Sequence, residues 1–183
     1  SQADKQTQTT GKASTTTKAA GAATARGEVQ ESSNGQRQDS INDAINLIKE
    51  KYTFIAPVNG ALSSPFGWRT DPYTKNEKYH YGVDIEANKG VSIKAALGGQ
   101  VIQAATDSSY GNYIRIQHGD GIITVYAHCS VLSVKAGQKV KQGDVIGKVG
   151  DTGAAIGPHL HFEVWKDGKA LSPLNFIKLS VKN

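Results

Sequence analysis

The sequence is poor in cysteine: it has one, Cys129, which excludes an internal disulfide. It has no methionine, not even at its start, so we expect a processed form or a fragment whose export signal or anchor has been removed. No apolar run reaches the length of a membrane span, and no signal-peptide pattern is visible. Residues 1–38 contain no aromatic and a single large aliphatic residue, Val29. Rich in Thr, Ala, Gln, Ser and Gly, this stretch has too little apolar surface to offset its ordering entropy and reads as a disordered linker. Every Trp, Tyr and Phe lies from Tyr52 onward, so the core belongs to the remainder, which is long enough for one domain. The net charge of +5 suits an anionic partner. The lysines are scattered, with no dense basic run interleaved with aromatics, which argues against a nucleic-acid module.

What is present divides into a helix and a β-patterned region. Ile41, Ala44 or Ile45, Ile48 and Tyr52 recur at helical spacing over 39–53. Asp39 or Ser40 can cap this helix, and Ser40 with Asp43 resembles a capping box. Over 54–183, short strand-like runs (91–95, 100–105, 113–117, 122–128, 144–149 and 159–165) are punctuated by glycine turns such as Gly98-Gly99 and Asp167-Gly168. No helix alternates with these strands, which argues against a parallel α/β sheet. The pattern predicts a mainly β chain, an antiparallel sandwich or open barrel with one short N-terminal helix.

Alternation along a strand assigns faces. In 159–165, Leu160, Phe162 and Val164 point one way, and His159, His161, Glu163 and Trp165 the other. In 122–128 the apolar set is Ile123, Val125 and Ala127, which leaves Thr124, Tyr126 and His128 opposite. Val83 and Ile85 are core-like, with Asp84 and Glu86 facing away. The chain has five histidines, His80, His118, His128, His159 and His161. His159 and His161 project together, and His80 and Asp84 sit four apart, on one face if the segment is a strand. Two imidazoles and a carboxylate form a common catalytic zinc set that leaves a position open for water. A closed structural site usually uses thiolates, which one cysteine cannot supply. There is no HExxH helix.

Three stretches in order, His80-Tyr81-Gly82-Val83-Asp84-Ile85, Tyr126-Ala127-His128 and Gly157-Pro158-His159-Leu160-His161-Phe162-Glu163-Val164, make the sequence resemble the lysostaphin/LytM-type zinc endopeptidases of bacterial cell walls. Ser64-Pro65-Phe66-Gly67-Trp68-Arg69 and Tyr110-Gly111-Asn112 support the likeness, which runs over about 63–176. The resemblance implies the duplicated hybrid motif fold with a groove over a metal. It implies that His80, Asp84 and His161 bind Zn2+ and that His128 and His159 are a non-ligating catalytic pair. It implies cleavage of peptidoglycan, in a cross-bridge or a stem peptide, by a domain outside the cytoplasm. That domain would be secreted or tethered through an N-terminal anchor, with a further protein partner reached through the N-terminal region.

Two positions depart from the family pattern: Cys129 stands where leucine is expected, and Ile156 where Ser or Thr precedes the Gly-Pro-His turn. His118 reads as structural. Glu163 is either a support for a ligand or a solvated carboxylate, while Tyr73, Tyr79, Tyr81, Tyr126 and Arg69 are candidates to shape the groove. Relatives that serve as scaffolds in division or sporulation complexes make a membrane-tethered partner-binding module the alternative reading. A carbohydrate-binding or biotin-carrier-like β domain, suggested by 134–150, leaves the groove histidines unexplained.

Overall fold

The computed structural model describes residues 22–71 and 74–180. Helix α1 runs Ala22–Lys51, so the helix expected over 39–53 is the C-terminal part of a longer one. Of the expected linker, residues 1–21 lie outside the described residues, while 22–38 are helical. Ala, Arg, Glu and Gln there give no apolar stripe, yet all are good helix formers. Contacts divide the chain after Ser40. Within the second unit, Ile41, Ile45, Ile48 and Tyr52 lie in or against the core, the stripe that the spacing predicts.

Twelve strands follow among the described residues. They are β1 (Leu62–Ser64), β2 (Gly67–Thr70), β3 (Glu77–His80), β4 (Val83–Glu86), β5 (Ser92–Lys94), β6 (Gly99–Asp107), β7 (Gly111–Gly119), β8 (Ile122–Leu132), β9 (Lys139–Val140), β10 (Val145–Val149), β11 (His159–Lys166) and β12 (Lys169–Leu171). A short 3-10 turn covers Pro173–Asn175. One ten-stranded sheet has the order β1-β4-β11-β8-β7-β6-β9, with β12 on β11 and β10 joining β5 to β8; β2 and β3 pair separately. All of these pairings are antiparallel. The fold is mainly β with one helix, as the sequence predicts. The short strands β1, β2, β3, β9 and β12 carry too few residues to show a period.

The core is built where the alternation places it on β4 and β11: Val83, Ile85, Leu160, Phe162 and Val164 are fully buried together with Ile114, Ile116 and Ile146. Cys129 joins them as a small apolar side chain, and burial pushes its thiol up to about 12.

Candidate metal centre

The site is assembled by strand register. On β11 and β4, His161 lies directly opposite Asp84 while Leu160–Ile85 and Phe162–Val83 are the neighbouring pairs. Because paired residues share a face, burying Phe162 and Val83 turns His161 and Asp84 to the other side. His80 arrives by a different route from the one read in the sequence. It ends β3, and the chain bends at Tyr81-Gly82 before β4 begins, so His80 and Asp84 do not share a strand. Gly82 permits that bend to lie against β11: a Cβ there would meet the Phe162 carbonyl oxygen at 2.3 Å.

Strand β8 corrects the face assignment more sharply. Tyr126 pairs with Phe162, is fully buried and belongs to the core; Ala127 pairs with His161 on the site side. Strict alternation would therefore send His128 inward. Instead His128 has φ +62°, and the β7–β8 register slips between Ile114–Tyr126 and Asn112–Cys129. This bulge turns the imidazole back to the groove, at a backbone cost of about 1–3 kcal/mol. The His128 ring lies 4.8 Å from that of His159 and 5.8 Å from that of His161. The Tyr110 carbonyl accepts the His128 backbone N–H at 2.8 Å, and the Thr152 carbonyl accepts Nδ1–H at 2.8 Å. Thr152 is held in turn by its hydroxyl on the Cys129 carbonyl, and by Gly111 and Gly153, which pack too closely for any Cβ. Tyr110 and Thr152 were not singled out in the sequence as supports for His128. Their contribution is a backbone carbonyl, which leaves no residue-type signal.

The four groove histidines share one hydrogen-bonding rule. A carbonyl or carboxylate only accepts, so the ring nitrogen facing it carries the proton. His80 Nδ1 donates to the Pro65 carbonyl at 2.7 Å, His128 Nδ1 to Thr152, His159 Nδ1 to the Gly157 carbonyl at 2.8 Å, and His161 Nε2 to Glu163 Oε1 at 2.8 Å. In the neutral rings His80 Nε2, His128 Nε2, His159 Nε2 and His161 Nδ1 are therefore bare. His80 Nε2, His161 Nδ1 and Asp84 Oδ1 form a triangle with sides of 3.0, 2.9 and 3.1 Å. With each ring neutral and carrying one proton, three lone pairs at that distance repel; either a metal ion among them or a further proton on an imidazole nitrogen, donated to Asp84, relieves the contact. A triangle with sides of about 3 Å has its corners about 1.7 Å from its centre, so a point about 2.1 Å from all three, a zinc-ligand distance, lies just off its plane. The donor set fits a divalent metal, and among the described residues these three form a group that could hold one. His159 Nε2 stands off at 3.7 Å from Asp84 Oδ1.

Charge is arranged to match. Burial works against ionising Asp84, but hydrogen bonds from His161 and His80 hold its carboxyl far below the usual carboxylate range. Arg69 Nη1 lies 3.5 Å from its other oxygen and also bonds the Ser64 hydroxyl. Burial lowers His128 to about 4, so it stays neutral at pH 7. His118 lies outside the site: Nδ1 donates to the Gly98 carbonyl, and Nε2 meets the Thr124 hydroxyl in a buried chain that continues to Tyr126. It is structural, as read.

The groove encloses about 630 Å³. Its rim carries Tyr81, whose ring stacks on Trp165 at 5.7 Å, and Ile156, which is 79% exposed. The apolar Ile156 thus meets the groove where a hydroxyl residue is expected. Tyr73 lies outside the described residues.

An antiparallel β domain with a His/Asp/His triangle at the floor of a groove defines the class. Residues 78–173 match the model of Peptidase family M23, more than half of the chain, and the chain belongs to that family. It is 35% identical over 150 residues to the peptidoglycan DD-endopeptidase ShyA of Vibrio cholerae, over 80% of this chain and 33% of that protein. It resembles the catalytic domain of the antimicrobial peptidase lysostaphin from Staphylococcus simulans, with TM-score 0.58 and 32% identity over 64% of this chain and 91% of that one. It also resembles a chain in the structure of the SpoIIQ–SpoIIIAH pore forming complex, with TM-score 0.62 and 34% identity over 69% of this chain and 91% of that one. The curated relatives are longer proteins: this chain spans 30% and 33% of the length of two of them.

Proposed function

We propose that this chain is a zinc-dependent endopeptidase that hydrolyses peptide bonds in bacterial peptidoglycan, in a cross-bridge or a stem peptide. The observation that carries the reading is the convergence of three bare donor atoms, His80 Nε2, Asp84 Oδ1 and His161 Nδ1, beside two further bare imidazole nitrogens. In this reading His80, Asp84 and His161 hold zinc, whose Lewis acidity, when it is bound, polarises the scissile carbonyl and acidifies water. His128 and His159 present Nε2 lone pairs to the same groove, each oriented by an Nδ1–H bond to a carbonyl. One accepts the proton of the attacking water on Nε2, and the imidazolium formed delivers that proton to the leaving nitrogen as the C–N bond breaks; the other, taking a proton from solvent on Nε2, would donate it as a hydrogen bond to the oxyanion and return it to solvent after product leaves. Both rings are fixed before substrate arrives, which lowers the reorganisation needed in the transition state. Such a substrate lies outside the cytoplasm, and there we place the domain. Incubating the zinc-loaded protein with purified sacculi and weighing the released muropeptides by mass spectrometry tests this. Fragments cut at amide bonds are expected; sacculi left intact across several wall chemistries contradict it.

The likeness to the SpoIIQ–SpoIIIAH structure favours a second reading, a tethered module that binds a protein partner in division or sporulation complexes. Such a module needs no metal and no cleavage, so the same experiment separates the two.

The site also fixes a pH dependence of stability. His128 has its pKa lowered by burial to about 4. Its stabilisation is therefore full above the unfolded value near 6.5 and is lost as pH falls through 4. For His161, hydrogen bonds to Asp84 and Glu163 outweigh burial, which opposes them, and raise the pKa to about 9. Its stabilisation is full below about 6.5 and is lost as pH rises through 9. Chelated protein should be most stable near pH 6.5, falling on each side by up to about 1.4 kcal/mol per pH unit for each imidazole. Zinc on Nδ1 replaces the extra proton, so the alkaline limb should vanish on loading. Unfolding temperatures from pH 4 to 9 with and without chelator check this; an alkaline limb unchanged by zinc contradicts it.

A further inference from the structure

Glu163 is 1% exposed, and every polar contact it makes is with a donor. Oε1 accepts from His161 Nε2 at 2.8 Å and from the Tyr110 hydroxyl at 2.7 Å, and Oε2 accepts from Trp165 Nε1 at 2.6 Å. A carboxylate this deep is retained only where its charge and lone pairs are used. The proposed chemistry gives it no proton to carry, and its place behind His161 gives it another task.

We propose that Glu163 is a positioning residue that sets the metal affinity of the site by fixing His161 as the tautomer with Nε2 protonated and Nδ1 bare, and that Tyr110 and Trp165 hold Glu163 to that task. The inference rests on the zinc reading above. A neutral imidazole can carry its proton on either nitrogen, and only one choice leaves Nδ1 free toward His80 and Asp84. Both ring nitrogens face a carboxylate, Nδ1 that of Asp84 and Nε2 that of Glu163; with a metal shared by Nδ1 and Asp84, Glu163 would keep the proton on Nε2 and increase the basicity of Nδ1.

The supports of Glu163 are themselves built in. The indole of Trp165 donates only, so it fixes Oε2 and stops the carboxylate from turning. Its ring stacks on that of Tyr81. The turn that carries Tyr110 is pinned by Asp107 Oδ1, which accepts the backbone N–H groups of Ser109 and Tyr110 at 2.8 and 2.7 Å. Tyr110 thus braces the ligand His161 through its hydroxyl and Glu163, and braces His128 through its carbonyl. Gly82 completes the enclosure: a Cβ there would lie 2.9 Å from Glu163 Cγ.

This arrangement requires a carboxylate and not merely a polar side chain. An amide in its place can turn its oxygen to His161 and Tyr110, but its NH2 then faces the indole N–H, donor against donor. Glu163→Gln is therefore expected to weaken zinc binding by about 10–100-fold, the range for loss of a ligand's supporting partner. Removing the indole donor relieves the conflict, so the double variant Glu163→Gln/Trp165→Phe should recover part of that loss. Tyr110→Phe, which removes one of two donors to Oε1, should weaken binding by less than Glu163→Gln does.

The experiment is competition for zinc against a chelator of known affinity on the full chain, with circular dichroism to establish that each variant is folded. Recovery in the double variant distinguishes positioning from a general packing role, since two packing defects would add. The proposal is overturned if folded Glu163→Gln binds zinc as the wild type does, or if Trp165→Phe deepens its loss instead of relieving it. A wild-type chain that takes up no zinc overturns both this inference and the reading on which it rests.

Discussion

His128→Ala should reduce cleavage of sacculi by about 10²–10⁴-fold, the usual contribution of a positioned acid–base group, while zinc stays bound. The imidazole is not part of the metal triangle, so its removal leaves His80, Asp84 and His161 in place. What is lost is one of the two Nε2 lone pairs that face the groove, together with the geometry for which the bulge in β8 exists. Alanine at φ +62° is no less strained than histidine, so the variant should not gain stability from relief of that strain. Zinc content and cleavage measured on the same sample check this. Cleavage within a few-fold of wild type contradicts the role; loss of zinc alongside cleavage would mean that His128 is a ligand and not a proton carrier.

Phe162→Ala should destabilise the domain by about 3–5 kcal/mol. The ring is fully buried, lies 5.3 Å from that of Tyr126, and occupies the strand position between His161 and Glu163. Its removal opens a cavity under the centre of the sheet, where β4, β8 and β11 meet. Part of the loss should be recovered by zinc, because a ligand that binds only the folded chain stabilises it by mass action. Denaturant melts with and without zinc measure both effects. A loss below about 1 kcal/mol would mean that β11 is not anchored through its core face.

How much of this was legible depended on which residues carry a pattern. The alternation in 159–165 gave both the core set and the groove set of β11 correctly, because seven consecutive residues show a period of two. Glu163 appeared there on the correct face, but a sequence cannot tell a solvated carboxylate from one enclosed by Tyr110 and Trp165. The same rule failed on β8, where it put Tyr126 on the groove side and Ile123 in the core. A single left-handed residue, His128, reverses the alternation, and histidine gives no warning of positive φ as a glycine would. His80 and Asp84 were expected on one strand and instead meet across a bend, since β3 and β4 are each only four residues long. The helix was placed by its apolar stripe, so its upstream turns, which have none, were read as linker. The groove supports drawn from main-chain carbonyls of Pro65, Tyr110, Thr152 and Gly157 had no signature at all.

The proposed activity requires one divalent ion held among His80 Nε2, Asp84 Oδ1 and His161 Nδ1. The most direct measurement is elemental analysis of zinc in the loaded chain after gel filtration, for the wild type and for His80→Ala, Asp84→Ala, His161→Ala, His128→Ala and His159→Ala. One zinc per chain is expected in the wild type and in the His128 and His159 variants, and little or none in the other three. A wild type free of zinc, or zinc retained in full through the three triangle substitutions, would contradict it.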